Sequence, residues 1–178
     1  MKKLKVEELN RATPGEYAGI GKIRLSVILD NVRSLNNIGS VFRTSDAFLI
    51  EKIYLCGISA TPPSAEIHKT ALGAEDTVKW EYAEDTLVLV ERLKKEGYTL
   101  LAVEQTEKST FLNHLQPNKD KHYAIVLGNE VKGVQQSVVD CCDGSIEIPQ
   151  FGTKHSLNVS VAAGIVIWHL FSLLHPGD

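Results

Sequence analysis

A chain of 178 residues with 43% hydrophobic residues, 23% charged residues, 13 Gly, 6 Pro and 3 Cys has the composition of one globular domain. At this length about 70% of the unfolded surface can be buried without disulfides or metals, and collagen-like, disordered and disulfide-scaffold classes are excluded. The net charge of −3 excludes a protein that grips nucleic acid by bulk charge, since such domains are strongly basic.

The first ten residues contain Lys2, Lys3 and Lys5 but no apolar stretch behind them, so they are not a signal peptide. Residues 1–22 are expected to be a short extension of a single domain over residues 23–178. Ile23 to Leu29 is an apolar run ending in Asp30-Asn31, which predicts a buried strand followed by a loop. The spacing then predicts a helix over Ser40–Phe48, with Val41, Ser45 and Phe48 on one face, and a strand over Ile53–Cys56 closed by Gly57. Two prolines make 59–64 a loop, with Ser64 able to cap the segment after it. Asp85 to Glu96 is the clearest helix: Leu87, Val90 and Leu93 give the 3.6 period, Asp85 caps it, basic residues suit its C-terminal dipole, and Gly97 stops it. Strands follow over Thr99–Val103, Tyr123–Leu127 and Ile146–Ile148, separated by a short helix around Ser109–Leu115 and another from about Val134 to Cys142. The final apolar run, Leu157 to Leu174, is interrupted by Asn158, Ser160, His169 and Ser172 and reads as a buried helix in preference to a membrane span. Apolar strands alternating with helices give an α/β fold, with a mainly parallel sheet flanked by helices on both sides.

In such sheets ligands bind at the carboxyl ends of the strands. Three strand-to-helix loops stand out there: residues 30–43, 127–133 and 148–158. Dinucleotide, P-loop and nucleophile-elbow signatures are absent from the chain, and neither the six His nor Cys56, Cys141 and Cys142 have metal-ligand spacing. No metal is expected, and the cysteine pattern fits a reducing cytoplasm. Taken singly, the loop residues have plain structural explanations. Gly128, Gly133 and Gly152 suit turns, Glu130 suits a helix start, Ser156 and Asn158 suit caps, and Arg43 could be a solvated helix residue. Arg43 is nevertheless expected in the first turns of a helix, where a cation gains nothing from the dipole.

The combination carries more. Asn37-x-Gly39-x-x-x-Arg43-Thr44, then Gly128-Asn129-Glu130-x-x-Gly133, then Ile148-Pro149 followed by Ser156-Leu157-Asn158-Val159-Ser160 resemble the three ordered motifs of the SpoU/TrmH ribose methyltransferases of the SPOUT superfamily. Lys69 to Glu75 also fits, so the resemblance spans roughly residues 23–174. It implies S-adenosyl-L-methionine (AdoMet) as cofactor, methyl transfer to an RNA ribose 2′-hydroxyl, a deep C-terminal trefoil knot, and a homodimer whose sites borrow residues across the interface. By motif match, Asn37, Arg43, Glu130, Ser156 and Asn158 are the expected catalytic and RNA-positioning set. Val103, Gly128, Ile148 and Leu157 are expected to line the AdoMet pocket. Arg is a poor base because its pKa exceeds about 12. Arg43 is therefore expected to hold a phosphate and stabilise alkoxide charge, with the proton leaving to water or to a carboxylate such as Glu130.

The short extension favours tRNA over rRNA as partner. A base-directed methyltransferase of the same superfamily and a catalytically silent RNA-binding protein remain alternatives. The charge is also uneven: residues 1–33 carry seven Lys/Arg against four acids, and Arg33, Arg43, Lys132 and Lys154 fall in the motif loops, which suits few and local phosphate contacts.

Overall fold

The structure, a computed structural model, describes residues 1–175; residues 176–178, the end of the expected domain, lie outside the described residues. Seven strands build one sheet: β1 (Ile23–Asp30), β2 (Ile50–Cys56), β3 (Trp80–Ala83), β4 (Tyr98–Val103), β5 (Thr110–Phe111), β6 (His122–Leu127) and β7 (Gly144–Glu147). Their order is β3-β2-β1-β6-β4-β7-β5, and all six neighbouring pairs are parallel. In the centre, Ile28 lies opposite both Tyr54 of β2 and Val126 of β6.

The strand period of two separates two cores. Leu25, Val27 and Leu29 of β1 join Tyr123, Ile125 and Leu127 of β6 on one face. That face is covered by α2 (Leu35–Ala47), α3 (Ala65–Ala71), α4 (Ala74–Thr77) and α7 (Val159–Leu174). Ile28, Tyr54, Ala124 and Val126 point to the other face, under α5 (Thr86–Lys95) and α6 (Gln136–Cys141). Covered on both sides, the strands read as continuous apolar runs. In the N-terminal segment, Tyr17 of α1 (Pro14–Gly19) is only 6% exposed and joins the first core.

The helix over 86–95 forms as expected, with the Asp85 carboxylate accepting from Leu87 and Val88 N–H. Elsewhere the boundaries differ from the sequence expectation. α2 begins five residues earlier than expected, at Leu35, so Asn36, Asn37 and Gly39 are helical; the Ser34 hydroxyl accepts from Asn37 N–H as its cap. Arg43 therefore sits well inside a 13-residue helix and not in its first turns. The short helix expected around Ser109–Leu115 is instead the two-residue strand β5 and a 3-10 turn at Leu112–His114. β3 was not anticipated, α6 is shorter than expected, and Ile148 falls just beyond β7. Among the described residues, no helix is long and apolar enough to cross a membrane.

Candidate functional site

Strands β4, β6 and β7 end around a cleft of ≈ 670 Å³. Its size is in the range of small-molecule sites. All four expected cofactor residues, Val103, Gly128, Ile148 and Leu157, line it, as do Glu130, Ser156 and Asn158. Apolar walls at Val103, Ile146, Ile148, Leu157 and Ala162 suit a flat ring, while Glu104, Glu130 and Glu147 outnumber Lys132 and give the wall a negative balance.

Two of the five expected catalytic residues meet at Glu130. Its carboxylate accepts from Arg33 N–H (3.0 Å), Ser34 N–H (3.0 Å) and the Asn37 side-chain amide (3.1 Å). Ser34 is the N-cap of α2, so the carboxylate sits at the start of that helix, where the dipole also favours an anion. Burial pushes the Glu130 pKa up, but the hydrogen bonds from Arg33, Ser34 and Asn37 outweigh it and hold the carboxyl below its ordinary value. A carboxylate held in its ionised form in this way is a weaker proton acceptor than a free one.

Asn37 extends the chain of contacts to the third loop. Its amide oxygen accepts from the Asn158 amide at 3.2 Å, while Asn158 Oδ1 caps α7 by accepting from Ser160 and Val161 N–H. Asn158 thus both caps α7 and lines the cleft. Ser156 is exposed at the cleft wall. Arg43 is exposed, is not part of the cleft lining, and its side chain makes no hydrogen bond or ion pair among the described residues.

Close approach explains Gly39, Gly128 and Gly133, whereas a Cβ at Gly152 would meet open space. A Cβ at Gly128 would overlap the backbone of Gly133 and Val134, which the loop folds back upon it through paired bonds between Asn129 and Gly133. Gly133 has φ +68° and lies under the Glu104 carboxylate. Gly39 lets α2 press on α3, where a Cβ would strike Ile67 O and Thr70 Oγ1; this accounts for the Lys69–Glu75 segment accompanying the first motif.

Sequence reasoning missed three supports of the site. Glu104 accepts from Val134 N–H at 3.0 Å and so holds the second loop. Gln105 donates from its side-chain amide to His155 O at 2.9 Å and ties down the third. Asp30, fully buried, accepts from Thr86 Oγ1, from Gln135 N–H and from the Gln135 side chain, joining β1 to α5 and to the start of α6. Their only signal was position: each follows or ends an apolar run at a carboxyl strand end.

The sequence pattern described as "SpoU rRNA Methylase family" matches residues 24–168. A 23S rRNA (guanosine-2′-O-)-methyltransferase, RlmB, of Neisseria meningitidis serogroup B is 30% identical over 143 residues, which is 80% of this chain and 56% of the relative. The crystal structure of the A. aeolicus TrmH/SpoU tRNA modifying enzyme is similar at a TM-score of 0.79 and 26% identity, covering 90% of this chain and 80% of that one. An AdoMet-bound rRNA methyltransferase from Sinorhizobium meliloti gives a TM-score of 0.76 at 25% identity, covering 89% of this chain and 60% of that one. The chain spans 56% and 59% of the length of two curated relatives that it matches.

Proposed function

Because this chain belongs to the SpoU rRNA methylase family, we propose that it transfers a methyl group from AdoMet to a ribose 2′-hydroxyl of RNA. The observation that carries the reading is the convergence of Asn37 from the first turn of α2, Glu130 from the second loop and Asn158 from the cap of α7, beside a cleft lined by all four expected cofactor residues. The cleft fits AdoMet: apolar walls for the adenine, a second loop packed tightly on Gly128 where it borders the cleft, and a negative wall for a cation. AdoMet supplies an activated methyl on a sulfonium. The chain's own work is therefore alignment of the attacking oxygen, exclusion of water and stabilisation of charge.

Val103, Gly128, Ile148 and Leu157 hold the cofactor in this reading. Glu130 acts as the anchor that fixes Asn37 and the start of α2, and through Asn37 the Asn158 amide. Ser156 presents its hydroxyl to the ribose. Arg43 holds a phosphate beside the target and stabilises developing alkoxide charge, while the proton leaves to water. The chain acts as a homodimer, with the domain over residues 23–178 preceded by the extension over 1–22. Arg43 serves the partner's cleft, a reading supported by its exposure and its absence from the lining of its own. The C-terminal part is threaded as a deep trefoil knot; its support is that α7 returns from β7 across the sheet to pack on α2 and β1.

tRNA is preferred over rRNA as substrate. The support is the likeness to a tRNA modifying enzyme, at a TM-score of 0.79 against 0.76 for an rRNA methyltransferase. The test is transfer of labelled methyl from AdoMet to total tRNA and to rRNA, followed by digestion to nucleosides. Ribose-methylated nucleosides from tRNA are expected. A base-methylated product, exclusive rRNA labelling, or cofactor binding without product would each overturn a part of the reading. Arg43→Lys keeps the charge but loses the planar fork, and its single-turnover rate is expected to fall steeply.

A further inference from the structure

Phe151 is the most exposed large apolar side chain after Met1, at 97%, and it lies in the third loop beside the cleft-lining Gln150. On the second loop, Val131 is 79% exposed and lines the cleft. Two water-facing apolar side chains on loops of one site are too few for an apolar patch, but a bound partner would cover them. The surroundings say which kind. Gln150, Thr153, Lys154, His155 and Ser156 are all polar, so Phe151 is a single ring in a polar loop and not part of an apolar patch. Lys132 and Lys154 flank the two apolar residues, are exposed, and hold no ion pair among the described residues. One flat ring among unpaired cations is the pattern that takes a single-stranded nucleic acid: the ring stacks on a base and the cations meet its phosphates.

We propose that Phe151 is a stacking platform for a nucleobase of the RNA substrate, held against the mouth of the cleft with Val131 on the second loop and Lys132 and Lys154 on the flanking phosphates. This rests on the methyltransferase reading and adds the group that orients the RNA. A ribose that accepts a methyl must reach the cleft, so its own or the adjoining base passes the loop that carries Phe151. Stacking tolerates any base, so Phe151 contributes affinity and orientation and leaves base identity to other contacts.

The test compares wild type with Phe151→Ala, Phe151→Trp and Phe151→Leu in three measurements: total-tRNA binding by fluorescence anisotropy, AdoMet binding by calorimetry, and single-turnover methyl transfer. Stacking on one base makes Phe151→Ala about 10- to 100-fold weaker for RNA. AdoMet affinity and sedimentation are expected to stay as in wild type, Phe151→Trp to restore RNA binding and Phe151→Leu not to. RNA affinity within twofold of wild type in Phe151→Ala would overturn the proposal. So would equal rescue by Leu and Trp, or a change in subunit assembly, either of which would mark a protein contact. Parallel loss of AdoMet affinity would place the ring in cofactor binding instead. The outcomes separate from those of the methyltransferase reading: wild type that binds tRNA but transfers no methyl defeats that reading alone, since the binding arm still measures the stacking.

Discussion

Glu130 is a motif carboxylate whose visible partners are three hydrogen-bond donors at the start of α2. Its folded pKa is below the ordinary value despite the burial that would raise it, because three donors favour the ionised form. A lowered carboxylate pKa contributes stability above the unfolded value, about 4.3, and the contribution is lost as pH falls through the lower folded value. The local effect is thus confined to acid, well below neutrality, and it is small for so exposed a side chain. Glu130→Gln is expected to lower the rate at every pH by disordering Asn37, with a pH–rate profile between about pH 6 and 9 parallel to that of wild type. A limb present in wild type and missing from the variant would make Glu130 the base after all. Gly128 is a second case. Its motif position was readable in the sequence, but turn geometry was the simplest explanation; the actual reason is the backbone of Gly133 and Val134 lying where a Cβ would be. Backbone cannot swing aside as a side chain can, so Gly128→Ala must open the second loop. Calorimetry is expected to show AdoMet affinity reduced more than about tenfold, the loss that a roughly 1.4 kcal/mol distortion produces.

At the scale of elements, α5 was legible because its cap, its apolar period and its stop are all local. The start of α2 was not, because two asparagines and Gly39 depress helix propensity over residues 36–39. The groups that offset that propensity are remote in sequence: Glu130 on Arg33 and Ser34 N–H, and Thr70 Oγ1 on Asn36 O. The edge strands β3 and β5 were missed for a related reason. They are short and paired on one side only, and Glu81 in β3 is held by Lys52 and Arg92, contacts that no period reveals. α7 joins element to site through Asn158, and its two roles can be separated. Asn158→Ala removes the cap, which costs about 1 kcal/mol, together with the Asn37 contact. Asp caps as well as Asn does, but it offers Asn37 Oδ1 a second acceptor in place of a donor. Asn158→Asp is therefore expected to keep the denaturation midpoint of wild type and still lose methyl transfer, whereas a variant with both properties intact would reduce Asn158 to a cap.

Over the whole molecule, the features that the cleft does not use gather on an outer surface. Val161 and Trp168 of α7 are 51% and 56% exposed, with Ile165 between them on the same face, and Trp168 stacks with Phe171 and leans on Phe48 at the end of α2. An apolar stripe of this kind, on a helix whose other face is core, is the natural seam for the proposed homodimer. Arg43 comes from the same helix α2, its side chain without a hydrogen-bond or ion-pair partner among the described residues. If each cleft is completed by Arg43 of the other subunit, two dead variants can rescue one another. In a heterodimer of Arg43→Ala and Gly128→Ala, the cleft of the Arg43→Ala subunit is intact and receives the native Arg43 of the other subunit. The second cleft binds AdoMet more than about tenfold more weakly and stays largely empty at an AdoMet concentration near the wild-type Kd, so one site of two works. Random assembly makes half of the dimers mixed, and co-expression is expected to restore about one quarter of wild-type activity. If Arg43 instead serves its own cleft, one site of the heterodimer lacks its arginine and the other its cofactor, and the mixture stays as inactive as either parent.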